Sequence, residues 1–457
     1  AYGIRITQKC DIENYGAIGK YIDDMGTEHI SSHYGITVSS TAGTTNTINN
    51  EGVVVSGSIG INAEVKMEGT IDSEGNRVSG IINRSFAVIT GGATGVNLSK
   101  GGTLTNEENA EITGGTASGV ALVSGGSVDN AGVISADVYG IKITGANDVN
   151  ITNTGIIKGA ADSKAMGIDI DTGAEGVRKI TNDGTIFGVM HGIRIGQRCD
   201  VYNSGTIGQY VDDMGSVHTS ANTGIAIAAK AVATNTIIND GLITGKTGIY
   251  AQVQMAGIIN SEGIFISGIT NNPGGTISGS ETGITLYAGG TLDNYGMIVG
   301  AVNGVNCPSA ATPTEFINRS GAVVTGNAVF GSAANIVTFE AGSTIDGSFT
   351  MGAGNSALVF TGPYSPDLGN WGRTYATVTG KTTLSPLTKV SFGDDWNIDY
   401  PYLQHGEQIT LIEGGTLVTY APVPFATHTP NNGQILEVKA SAAADQLIAI
   451  PGYTVTI

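Results

Sequence analysis

Charge, aromatic rings and cysteine are all scarce in this chain. Only 13% of its 457 residues are charged and 6% are aromatic. Basic residues are the rarer sign, 21 Lys and Arg against 39 Asp and Glu, for a formal charge of −18. That balance excludes a nucleic-acid partner, which requires a basic face for phosphates, and suits a soluble, exposed surface. No apolar run approaches the ~20 residues of a membrane-spanning helix, and no amphipathic helical period of useful length occurs. Glycine does not recur at every third position, so a collagen-like fold is excluded. There is no phosphate loop, nucleophile elbow, zinc spacing or Cys–His arrangement. No secretory leader is visible, as expected of a mature protein.

What the chain has in excess is glycine, 70 residues, about twice the usual share of roughly 7%. One phrase keeps returning with a glycine at its centre: an aliphatic residue, a spacer, Asn, any residue, Gly, any residue, then Ile or Val. It reads IENYGAI (12–18), INNEGVV (48–54), VDNAGVI (128–134), ITNTGII (151–157), ITNDGTI (180–186), VYNSGTI (201–207), IINDGLI (237–243) and LDNYGMI (292–298). Looser copies centre on Asn83, Asn106, Asn271 and Asn318. Short alternating segments such as GVALV (119–123), GIKIT (140–144) and GITLY (283–287) lie between the phrases.

Three short strands and their turns in each ~23 residues are one coil of a parallel β-helix. Propeller blades need ~40–50 residues each, and sandwiches have no short fixed period. The expected fold is therefore all-β, a right-handed parallel β-helix with coils of ~23 residues. Alternation turns Ile and Val inward, onto the same residues of the next coil. Glycine is expected to supply positive φ at the corners, and asparagines at equivalent corners are expected to stack in a hydrogen-bonded ladder.

A longer repeat encloses the short one. CDIENYGAIGKYIDDMGTEHI (10–30) returns as CDVYNSGTIGQYVDDMGSVHT (199–219), and GINAEVKMEGTIDSEG (60–75) as GIYAQVQMAGIINSEG (248–263). The expected organisation is a β-helix over residues 1–345 with two tandem copies of a ~189-residue unit (1–189 and 190–330), then a C-terminal β segment, 346–457, that caps it. Cys10 and Cys199 are equivalent, eight coils and so ~35–40 Å apart at ordinary strand spacing, too far for a disulfide. Inert buried thiols are expected for both and for Cys307. Arg5, Lys142 and Arg194 are read as solvent-facing residues of ordinary Gly-Ile strands.

The candidate functional residues lie in the two longest intervals. From Asn14 to Asn50 and from Asn203 to Asn239 the phrase spacing exceeds a coil by about a dozen residues. The excess is KYIDDMGTEHISSH or QYVDDMGSVHTSAN, so one loop projects in the same orientation from each copy. Asp23, Asp24 and His29, with Asp212, Asp213 and His218, are candidate ligands for a divalent ion, calcium for preference, because hard carboxylates suit it. The same acids also fit a role as turn caps, since the Asp-x-Asp-x-Asp-Gly spacing of a dedicated calcium loop is missing. Tyr21, Met25, Tyr210 and Met214 are candidate contact residues, because loops on a rigid scaffold often carry recognition.

Beyond residue 345 the Asn-Gly phrase stops, and both tryptophans (Trp371 and Trp396) and eight of the eleven prolines lie past residue 360. The Asn-x-Gly-x-Ile coils and the run NSALVFTG…GKTTLSPLTKVSF…ITLIEGG resemble the passenger domains of bacterial autotransporters, with their β-helix and C-terminal folding segment. The resemblance implies export through an outer-membrane barrel, display at the cell surface, and adhesion or self-association. The expected function is that of an extracellular, non-catalytic structural or adhesive protein: an adhesin, a surface-layer or a filament subunit. Its partners would be further copies of itself or a surface glycan. The alternative is a polysaccharide lyase or hydrolase, whose carboxylates would meet across coils without leaving a linear motif.

Overall fold

In a computed structural model, residues 2–71, 74–75, 77–145, 147–171, 176–364, 376–385, 387–392, 397–398, 409–413, 416–419, 435–440 and 446–452 are described. Trp371 and Trp396 lie outside them. The described strands belong to a parallel β-helix, as the periodicity requires, and form two units: residues 1–232 with 241–246, and residues 233–240 with 247–457. Among the described residues no helix is long and apolar enough to cross a membrane.

In the first unit each rung contributes one strand to each of three parallel ladders. The first runs from Tyr2–Ile6 and Tyr34–Val38 to His191–Ile195 and Thr223–Ile227, the second from Asp11–Asn14 to Cys199–Asn203, and the third from Ala17–Ile18 to Thr206–Ile207. Registers place like on like. Ile36, Ile61, Val96, Val120, Ile141, Ile168, Ile193 and Ile225 form one fully buried column of the first ladder. Each such side chain contributes about 1.5–3 kcal/mol by leaving water, and stacking on its own kind conserves the volume from rung to rung.

The asparagine ladder forms as expected. Nδ2 of each residue donates to Oδ1 of the next through Asn14, Asn50, Asn83, Asn106, Asn130, Asn153, Asn182 and Asn203, at 2.7–2.9 Å. The same amides reach corner carbonyls, as Asn130 does with Gly132 at 3.1 Å, so one buried group both closes its own corner and ties two rungs together.

Glycine in the Asn-x-Gly phrase plays a different part from the one expected. These corner glycines do not have positive φ. A Cβ on Gly155 would meet the Gly132 carbonyl oxygen at 2.1 Å, and one on Gly184 the Gly155 oxygen at 2.1 Å, so the residue is demanded by the close approach of stacked backbones. Positive φ appears instead in the four looser copies, whose corners hold a left-handed residue three positions after the Asn: Phe86 (65°), Asn109 (63°), Gly274 (88°) and Gly321 (76°).

The spacing of the copies also differs from expectation. Asn14 to Asn203 spans seven ladder steps rather than eight, with intervals of 36, 33, 23, 24, 23, 29 and 21 residues. Insertions at corners lengthen the chain without adding a rung. The equivalent positions are therefore about 33–34 Å apart. Cys10 and Cys199 are free, as that distance requires, but Cys10 is exposed, whereas Cys199 and Cys307 are buried. Burial pushes the Cys307 thiol up to about 12 and the Cys199 thiol up as well.

In the second unit the ladder of asparagines runs through Asn239, Asn271, Asn294 and Asn318 at 2.9 Å. Phe339 then takes the register position after Asn318, and Phe360 the next. Phe316, Phe330, Phe339, Phe349 and Phe360 are all fully buried, with Phe339 and Phe349 5.1 Å apart edge to face. Parallel stacking continues past residue 345 to Thr416–Thr419. There the pairing changes hand: Gln446–Gly452 lies antiparallel to both Ile409–Glu413 and Ile435–Ala440. An antiparallel pair laid on a parallel rung covers its open edge.

Candidate interaction site: the paired hairpins

The two insertions are antiparallel hairpins, Lys20–Ile22 with Glu28–Ile30, and Gln209–Val211 with Val217–Thr219. Each leaves the third ladder at a glycine that no other residue can replace without strain. Gly19 (φ 85°) and Gly208 (φ 87°) are left-handed, and a Cβ there would meet the Val55 or Thr244 carbonyl oxygen at 2.0 or 1.9 Å. The bases close by Ser31 N–H donating to Gly19 (2.7 Å) and Ser220 N–H to Gly208 (2.8 Å).

The first aspartate of each Asp-Asp pair builds the turn. Asp23 Oδ1 accepts the N–H groups of Met25 (3.0 Å) and Thr27 (2.8 Å), and its Oδ2 pairs with His29 Nε2 at 2.8 Å. Asp212 does the same with Met214 and Ser216 (2.9 Å each) and with His218 at 2.9 Å. The histidine hydrogen bond and the backbone donors hold both carboxyls below the usual carboxylate range. A hairpin of the second unit repeats this geometry with an amide: Asn260 Oδ1 accepts from Glu262 (3.0 Å) and Ile264 (2.9 Å). What the turn needs is an acceptor oxygen, and the charge is dispensable. Asp23 and Asp212 thus cap their turns. Asp24 and Asp213 are exposed beside them. Among the described residues no three His, Cys, Asp or Glu side chains gather as a metal site.

The contact candidates divide by face. Tyr21 stacks on His29 (centroids 4.7 Å) and Tyr210 on His218 (6.0 Å). The second hairpin folds back along the solenoid, with Tyr210 6.0 Å from Phe187 of the preceding rung and Lys158 Nζ, one rung further back, 4.5 Å above the ring. Met25 and Met214 stand at the turns, each 88% exposed, beside exposed Ile22 and Ile30 or Val211 and Val217. The hairpin surface turned to solvent is therefore mixed: exposed aliphatic side chains and a methionine share it with the Lys20–Glu28 ion pair (3.0 Å) in the first hairpin and with Gln209 and Thr219 in the second.

A second cluster was missed by reading Lys142 and Arg194 as simply solvent-facing. The strand register aligns Lys142, Asp169 and Arg194 on three successive rungs. Asp169 is fully buried between the two cations, whose side chains are only 18% and 34% exposed. Arg194 Nε and Nη2 reach the two carboxylate oxygens at 2.5 and 3.0 Å, and Lys142 pairs with Oδ2. Beside them His191 Nδ1 lies 2.5 Å from Thr223 Oγ1. Burial, and then Arg194, push His191 down to about 4. The signal was present as the third residue of GIKI, GIDI and GIRI, a column to be read across coils.

Compared with known proteins, the chain matches neither a protein-family model nor a curated sequence.

Proposed function

We propose that this chain is a non-catalytic, extracellular adhesive or structural protein of the autotransporter-passenger kind, acting by surface contact. The observation that carries the reading is the duplicated hairpin, placed on the same ladder seven rungs apart with an exposed methionine at each tip. Two similar contacts on one unit convert the second binding event into an intramolecular one, with a gain of roughly 10²–10⁴-fold in avidity when the geometry fits. Asp169 supports the same reading. With both oxygens held by Arg194 and Lys142, it serves as a clamp between rungs and is not placed to transfer protons. Calcium enters only as a bridge between tips through the exposed carboxylates of Asp24 and Asp213. The partner is a further copy or a surface glycan.

The test is electron microscopy and sedimentation of the native protein and of the Met25→Ser/Met214→Ser variant, each with calcium and with chelator. Native assemblies that disperse in the double variant support the hairpins as contacts. Assemblies unchanged in the variant remove the hairpins from the reading, and indifference to chelator removes the calcium bridge.

A further inference from the structure

Away from the hairpins, the corners between the first and second ladders of four successive rungs enclose an open trough of about 580 Å³. It spans three ladder steps, about 14 Å. Its floor is bare because stacking forbids side chains there. A Cβ on Gly102 (φ 140°) would meet the Met67 carbonyl oxygen at 2.6 Å, and one on Gly126 (φ 127°) the Gly102 oxygen at 2.5 Å.

The walls are polar throughout. Lys66 and Lys100 stand on neighbouring corners, with Glu68, Ser127, Asn147 and Asp148 completing the lining. The two acids are already committed, Glu68 to Lys66 at 2.9 Å and Asp148 to the Val177 N–H at 2.8 Å. Lys100 is exposed and has no carboxylate partner among the described residues. Asn147, also in the lining, donates Nδ2 to the Ser124 carbonyl at 3.0 Å, which leaves its amide oxygen free of that bond. An uncommitted cation on a chain of charge −18 is a place where an anion gains a partner. No aromatic or aliphatic wall is available to hold a peptide side chain. Hydroxyl, amide and ammonium groups along a straight trough fit a chain of hydroxyls that carries carboxylates.

We infer that this trough binds a short acidic oligosaccharide, a uronic-acid chain, with Lys100 receiving a carboxylate and Ser127 and Asn147 its hydroxyls. This site is separate from the hairpins, so it stands or falls independently of the reading above.

The experiment titrates the full chain with an oligogalacturonate by calorimetry and with its methyl-esterified counterpart as the neutral control. Expected are binding of the acid that weakens with added salt, none of the ester, and about a tenfold or greater loss in Lys100→Met, the cost of one charge-assisted hydrogen bond. Ser127→Trp, which fills the trough from a half-exposed position, should abolish binding while the circular dichroism melt stays unchanged. Absence of binding by the native protein, equal binding of the ester, or native-like affinity in both variants would each overturn the assignment.

Discussion

Replacing Asp169 with Asn should destabilise the middle of the first unit by about 3 kcal/mol, the low end of the ~3–5 kcal/mol for breaking a buried ion pair. The low end applies because Lys142 and Arg194 keep 18% and 34% of their side chains in water and can recover part of their hydration. Asn keeps one acceptor oxygen but turns an amide N–H₂ toward a cation, and two like charges lose the carboxylate that separated them. The complementary variant, Lys142→Met/Asp169→Leu/Arg194→Met, removes the desolvated charges together and should recover most of the loss. Solenoids unfold by rungs rather than all at once, so the assay is hydrogen exchange. Amides of Tyr139–Ile143, Met166–Ile170 and His191–Ile195 should lose protection in Asp169→Asn, while Ile59–Ala63 should not. If the single variant protects those strands as the native protein does, or the triple variant is the less stable of the two, the clamp is not what holds these rungs.

His191 makes stability depend on pH with a definite sign. Its folded pKa of about 4 lies below the ordinary histidine value of 6.5, so unfolding takes up a proton between those values. About 3 kcal/mol present near pH 7 should be lost as pH falls from 6.5 toward 4, and His191→Gln should flatten that segment of the pH–melting curve. Phe86, at φ 65° and 79% exposed, occupies a corner position where two equivalents are glycine and one is asparagine. Phe86→Asn should stabilise by about 1 kcal/mol through relief of the left-handed strain, read as a raised thermal midpoint; a lowered one would show that the ring makes contacts the strain argument neglects. Asp212→Asn should keep the hairpin turn, as Asn260 does in its own, whereas Asp212→Ala should open it to proteolysis between Val211 and Val217. Equal cleavage of the two variants would contradict the acceptor-oxygen account.

Legibility in the sequence followed the direction of the contact. The strand alternation, the corners and the ladder running from Asn14 to Asn203 could all be read directly. In a solenoid each repeat packs on its own equivalent, so a local phrase also specifies its neighbour. The two projecting insertions were legible for the same reason, as two departures from one period that matched each other, whereas their hairpin pairing and Asp-built turns required coordinates. Other features depended on which residues became lateral neighbours. Lys142, Asp169 and Arg194 are 25–27 residues apart and meet only because each sits at the same register on successive rungs. Tyr210 finds Lys158 across 52 residues because a hairpin can fold back over rungs already laid down. The number of rungs between the two copies, and the reason for glycine in the Asn-x-Gly corner, also required coordinates. Insertions change sequence distance without changing rung number. The backbone oxygen that excludes a Cβ at Gly155 belongs to Gly132, one coil away. Sequence by itself determined the repeating unit, because each coil's pattern is local. Tertiary structure decided which coils touch and what charge or ring each residue faces, because those depend on the register of the stack.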